Sequence, residues 1–148
     1  MIFSNLSPKE AAKKLEREGK KVITLIIKQV YFDQIMDGTK THEYREVKPS
    51  TIKKLLAHDE NGDLIGSGKF LQGVETIQTV HYDAMLLYVG YNPLRDSALV
   101  EITASEEQLL CDEDGKVVKI KDDDGSEWTP SQVDFSLGKV LSKDVYKR

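Results

Sequence analysis

The sequence predicts an α+β domain, rich in strands and short in helices. Three observations carry that expectation. The apolar period is strand-like over Val22–Ile27, turns helical through "QVYFDQIMDG", and alternates again through "KTHEYREV". Two further apolar runs, "YDAMLLYVG" and "SALVEITA", read as strands. No repeat, low-complexity tract or linker interrupts the 148 residues, a length that builds one core without disulfides or metals. A single domain is therefore expected over residues 1–148.

Taken in order, "SPKEAAKKLEREG" reads as a first helix, part of an N-terminal helical extension over residues 1–20. Ser7 suits the N-cap, Pro8 the first helical position, Glu10 completes a capping box and Gly19 supplies a stop. Its apolar side, Ala11, Ala12 and Leu15, is thin, so a surface helix is expected. "KVITLIIK" is a buried strand. In the next helix Phe32, Ile35 and Met36 share a face, and Gly38 stands where a left-handed C-cap glycine belongs. The strand at about Lys40–Val47 follows. It sets Thr41, Glu43 and Arg45 on one face and His42 and Tyr44 on the other, with Tyr44 expected in the core. "PSTIKKLLAH" reads as a short helix opened by Pro49 or Ser50, and the glycine-rich "DENGDLIGSGKFLQGVET" as a loop or weak hairpin. Two Asp-Gly turns flank "KVVKIK" in a hairpin pattern, and "DFSLGKVLS" closes the chain as a last strand.

Composition narrows the function. Apolar residues make up 39% and charged residues 31%, the balance of a well-solvated protein. No apolar run approaches the roughly 20 residues of a membrane span, and the N-terminus lacks the apolar stretch of a secretory signal. A lone cysteine, Cys111, suits a reducing compartment, so a cytoplasmic protein is expected. The net charge of −4 argues against a protein that coats nucleic acid over its whole surface. The charge is uneven, however. Residues 1–58 hold 12 Lys+Arg against 7 Asp+Glu, and residues 59–148 hold 9 against 18. A polyanion would prefer the N-terminal part, and a basic protein partner the acidic region 106–127.

Several motifs fail. An EF-hand loop placed on Gly115 or Gly125 would need oxygen ligands at Leu110 or Ile120. "GSGK" at Gly66–Lys69 lacks the spacing and hydroxyl of a phosphate-binding loop. His42, His58 and His81 have no metal-ligand spacing, and the acidic surroundings of Cys111 disfavour a thiolate. No metal and no cofactor is expected.

What remains is "GTKTHEYREVKP", residues 38–49. Glu43 and Arg45, two apart on a strand, point to one face behind Lys40. On spacing alone this is either a solvated face of ion pairs or a cleft in which the charges meet each other or a ligand. Arginine offers a planar donor fork suited to phosphate or a base edge.

The run "ITLIIKQVYFDQIMDGTKTHEYREVKP" resembles the opening of the ASCH domain, of the PUA-like superfamily. The family signature, Gly-x-Lys-(Thr)-x-Glu-x-Arg, stands here as Gly38, Lys40, Thr41, Glu43 and Arg45. The likeness is sharp over residues 22–49, looser over 80–104 and 133–141, and absent over 1–20. It implies a small mixed β-barrel flanked by short helices, the barrel spanning residues 22–141, with a cleft beside the signature strand. It also implies binding of RNA or a nucleoside- or nucleotide-like molecule. Lys40, Thr41, Glu43 and Arg45 would line that site, and Tyr91, Asn92 and Arg95 would join from the loop between the central strands, with Tyr44 or Tyr91 offering a stacking face. An alternative comes from family members that deacylate N4-acetylcytidine with the signature lysine, a threonine three residues on and a distant glutamate. This chain keeps Lys40 but carries Glu43 at the threonine position. A small amidohydrolase would rest on Lys40 and Glu43, with Glu101, Glu106 or Glu107 as the distant carboxylate.

Overall fold

A computed structural model describes Phe3 and residues 5–146. Residues 1, 2 and 4 of the expected N-terminal extension lie outside the described residues, as do 147 and 148. Three helices, α1 (Pro8–Arg17), α2 (Gln29–Asp37) and α3 (Ile52–Leu55), accompany nine strands. These are β1 (Val22–Ile27), β2 (His42–Glu46), β3 (Gly66–Leu71), β4 (Val74–Ile77), β5 (Ala84–Val89), β6 (Ser97–Leu109), β7 (Ile120–Lys121), β8 (Glu127–Trp128) and β9 (Ser131–Asp144). The α+β class therefore holds. The barrel is not seen to close among the described strands. Five strands form one sheet in the order β1-β5-β6-β9-β2, and β3–β4 and β7–β8 are separate two-stranded ladders. Consecutive β1 and β2 stand at opposite ends of that order, because α2 lies between them in the chain and β5 takes the pairing edge of β1.

The chain divides into two compact units: Met1–Glu43 with His81–Ala104 and Ser136–Arg148, and Tyr44–Val80 with Ser105–Phe135. In the first, β1 runs parallel to β5 from Val22↔Ala84 to Ile27↔Val89, and β5 pairs antiparallel with β6 from Ala84↔Glu101 to Tyr88↔Ser97. Strands β5 and β6 are buried without a break at Ala84–Leu87 and Ser97–Val100, as expected for strands covered on both faces, whereas β1 alternates, with Ile23, Leu25 and Ile27 buried and Thr24 exposed. Helix α1 has the expected capping box, with Ser7 Oγ accepting from Glu10 N and Glu10 Oε1 accepting from Ser7 N. Its thin apolar side is nevertheless core. Ala11 and Ala12 are buried in a cluster with Phe3, Ala84, Leu86, Leu99 and Leu141. Small side chains let the helix backbone approach the sheet closely, so two alanines suffice where larger residues would hold it off.

The start of β1 is pinned by a carboxylate. Asp83 Oδ2 accepts from Lys21 N at 2.9 Å, and Asp83 N donates to Lys21 O at 2.8 Å. The Lys21 amide, helped by His81, holds the Asp83 carboxyl below its ordinary pKa. A depressed carboxyl stabilises the fold above its unfolded pKa, and that contribution fades as pH falls through the lower folded value. Asp83→Asn is thus expected to cost about 1 kcal/mol at neutral pH. The difference from wild type should vanish in urea melts taken well below about pH 4. A difference that persists undiminished at low pH would refute the assignment.

In the second unit the glycine-rich segment forms a genuine hairpin, β3–β4, closed by Gln72 and Gly73 with φ of 51° and 79°. Positive φ at both turn residues suits the twist of a two-residue hairpin, and the glycine carries the strained place at no steric cost. Three local expectations are corrected. Helix α3 begins after Thr51, whose hydroxyl donates to Glu46 O and accepts from Lys48 N, which delays the helix past Pro49 and Ser50. "KVVKIK" is strand only at Ile120–Lys121, with Val117 making a lone bridge to Cys111. The turn side chain Asp112 instead accepts from the amides of Asp114 and Lys116, which holds the start of that run in a loop. Tyr44 is exposed rather than core, because the pleat that turns Glu43 inward turns its neighbour outward.

Candidate ligand-binding site

The path from α2 into β2 is fixed residue by residue. Gly38 takes the left-handed conformation (φ 84°), and its N–H donates to Ile35 O. Asp37 Oδ1 accepts from both the hydroxyl and the amide of Thr39, at 2.6 and 2.8 Å, and these bonds hold its carboxyl below the usual pKa. Lys40 N then donates to Gln34 O at 3.0 Å, which locks the backbone where the signature lysine leaves it.

The Lys40 side chain is only 18% exposed and Glu43 only 8%. Their charges meet, with Nζ 3.5 Å from Glu43 Oε1. The same ammonium lies 5.4 Å from the ring centroid of Tyr31, within cation–π range. A carboxylate this buried is stable only when paired, and a helix-borne aromatic together with a strand-borne carboxylate holds the lysine in one place. Thr41 is exposed, and its carbonyl accepts from Leu137 N at 2.8 Å.

Arg45 belongs to the second unit, where it is half-buried. Lys54 on α3 feels it. Partial burial, and then the charge of Arg45, hold the Lys54 ammonium below the ordinary lysine pKa. Two cations that repel each other across a short distance favour an anion between or beside them.

The loop from β5 to β6 holds Tyr91, Asn92 and Arg95. The Arg95 guanidinium stacks 4.0 Å from the Tyr88 ring centroid and donates to Gly90 O at 2.7 Å, while Asn92 Oδ1 accepts from Leu94 N at 3.1 Å. These contacts shape the loop, and Tyr91 at its tip is 85% exposed. Of the candidate distant glutamates, Glu107 accepts from Ile77 N and Ser131 Oγ, Glu106 is exposed, and Glu101 is half-buried beside Lys139 N.

One feature of the second unit escaped sequence reasoning: a cleft of about 1080 Å³. Ile52, Leu56, Val74, Ile77, Leu109 and Trp128 form much of its lining. Its walls come from segments up to 84 residues apart, and the only local signal was the Gln72–Gly73 turn that makes β3–β4 a hairpin rather than a loop.

The elements and the site together define a small α+β domain whose glycine-initiated Lys-x-x-Glu-x-Arg strand presents a caged lysine. A family model, the ASCH domain, matches residues 25–129, and the chain belongs to the ASCH domain family. No curated protein and no solved structure matches the chain.

Proposed function

We propose that the protein is a cytoplasmic module that binds RNA or a nucleotide-like ligand through the signature residues, in the PUA-like manner the family resemblance implies. The observation that carries this reading is the caging of Lys40 between Glu43 and Tyr31. A cation already ordered loses little side-chain entropy when it meets a phosphate or base acceptor. Arg45 with Lys54 supplies a second cationic position, and a guanidinium can grip phosphate or a base edge with two parallel bonds. Glu43 orients Lys40 and can accept from a base amino group, and Thr41 offers an exposed hydroxyl. Tyr91, with Asn92 and Arg95 bracing its loop, offers a stacking face. The first unit, by sequence, carries 13 basic against 10 acidic residues, so the field around Lys40 favours an anion despite the acidic total.

The test is fluorescence anisotropy with short RNAs and nucleotides, beside an assay for N4-acetylcytidine hydrolysis. Arg45→Ala is expected to weaken binding by about 1.5–3 kcal/mol, the loss of a charge-assisted bidentate contact. Glu43→Thr removes a negative charge and should hold or improve affinity for an anionic ligand. Wild-type hydrolysis that disappears in Lys40→Ala would overturn the binding-module reading in favour of a small amidohydrolase. Absence of binding to every RNA and nucleotide tried would overturn the binding-module reading.

A further inference from the structure

The cleft of the second unit has no part in that reading, and its chemistry is different. The unit carries, by sequence, 8 basic against 15 acidic residues, a net of −7. Glu75, Glu107, Asp122 and Glu127 stand in the lining against Lys48 and Lys119. Lys48 Nζ is itself drawn to Glu46 Oε2 at 3.8 Å. A phosphate chain entering here would meet repulsion. The lining also holds the apolar side chains of Ile52, Leu56, Val74, Ile77 and Leu109. Trp128 stands on it 47% exposed, and its ring is held by Nε1 donating to Asp122 Oδ1 at 3.1 Å. A fixed, half-exposed tryptophan among apolar neighbours is a residue type enriched at the energetic centres of protein interfaces.

We propose that this cleft is a docking groove for a basic segment of a partner protein, a short stretch carrying lysines or arginines and at least one large apolar side chain. Charge complementarity selects the partner's sign. The apolar part of the lining demands a side chain to bury, which a bare polyamine lacks. The volume of about 1080 Å³ lies just above the range of small-molecule pockets, about 300–1,000 Å³, and has room for a peptide segment. The partner's cations would face Glu75, Asp122 and Glu127, with an aliphatic or aromatic residue against Trp128.

Trp128 is the sole tryptophan of the chain, so its intrinsic fluorescence reports this cleft alone. The intact protein is titrated with a ten-residue alternating Leu-Lys peptide, and in parallel with a Leu-Glu peptide, spermine and a single-stranded RNA. A saturable fluorescence change is expected with the Leu-Lys peptide only, with affinity falling several-fold as salt is raised. With a dye-labelled peptide, Trp128→Ala should weaken binding at least tenfold, and Glu127→Lys, an exposed substitution that leaves the core untouched, several-fold. Lys40→Ala should leave peptide binding unchanged, so failure of this proposal and failure of the nucleotide reading are separately visible. No saturation by the Leu-Lys peptide would overturn the groove. So would equal binding of the Leu-Glu peptide or spermine, RNA binding that the Leu-Lys peptide displaces, or unaltered affinity in both cleft variants.

Discussion

Phe32→Ala is expected to destabilise the protein by about 3–5 kcal/mol, the usual range for deleting a buried aromatic. Phe32 is 1% exposed and, with Ile35, forms the face that seats α2. The loss has two parts: transfer of the ring out of the core, and a cavity that the helix can only partly collapse into. Urea unfolding should show the midpoint moving with the slope unchanged, which marks a stability change rather than a new denatured state. Phe32→Leu should recover part of the loss. Because α2 also carries Tyr31, the alanine variant should loosen the Lys40 cage and weaken ligand binding even at temperatures where it remains folded. A loss below about 1 kcal/mol would mean that α2 is held by something other than this ring.

Glu43→Ala is the second large effect, about 2–3 kcal/mol of stability. Removing one member of a fully buried ion pair costs about 3–5 kcal/mol, because the remaining charge is stranded. Lys40 keeps 18% of its side chain in solvent and can swing its ammonium outward, which reduces that figure. Comparing Glu43→Leu, Lys40→Met and the double variant isolates the pair. A coupling of about 1–2 kcal/mol is expected, persisting at high salt because the pair is shielded from ions. Coupling near zero would show that Glu43 is held by its other interactions and that the lysine is not caged by charge.

Much of this was legible along the chain. The capping box at Ser7–Glu10 and the left-handed stop at Gly38 depend on side chains within a few residues of each other. So do the bounds of Val22–Ile27, an apolar β-branched run between lysines. The signature residues Lys40, Thr41, Glu43 and Arg45 could be named through the family resemblance, but spacing alone left open whether their charges meet each other or a ligand, and the pairing of Lys40 with Glu43 is seen only in the structure. Tyr44 was misjudged because burial is a property of what lies opposite, and the sequence does not say what lies opposite.

The sequence by itself determined most of the local elements, the ASCH signature and the asymmetry of charge, because these rest on period, turn chemistry and composition. Only the tertiary structure decided that β1 and β2 end at opposite edges of one sheet, and that Tyr31 stands over Lys40. It alone gathered Ile52, Ile77, Leu109 and Trp128 with four carboxylates around one cleft. Such contacts join residues far apart in the chain, and they form only when the gain from burying their shared apolar surface exceeds the entropy of closing the loops between them. That balance is struck over the whole fold and is written in no single stretch of it.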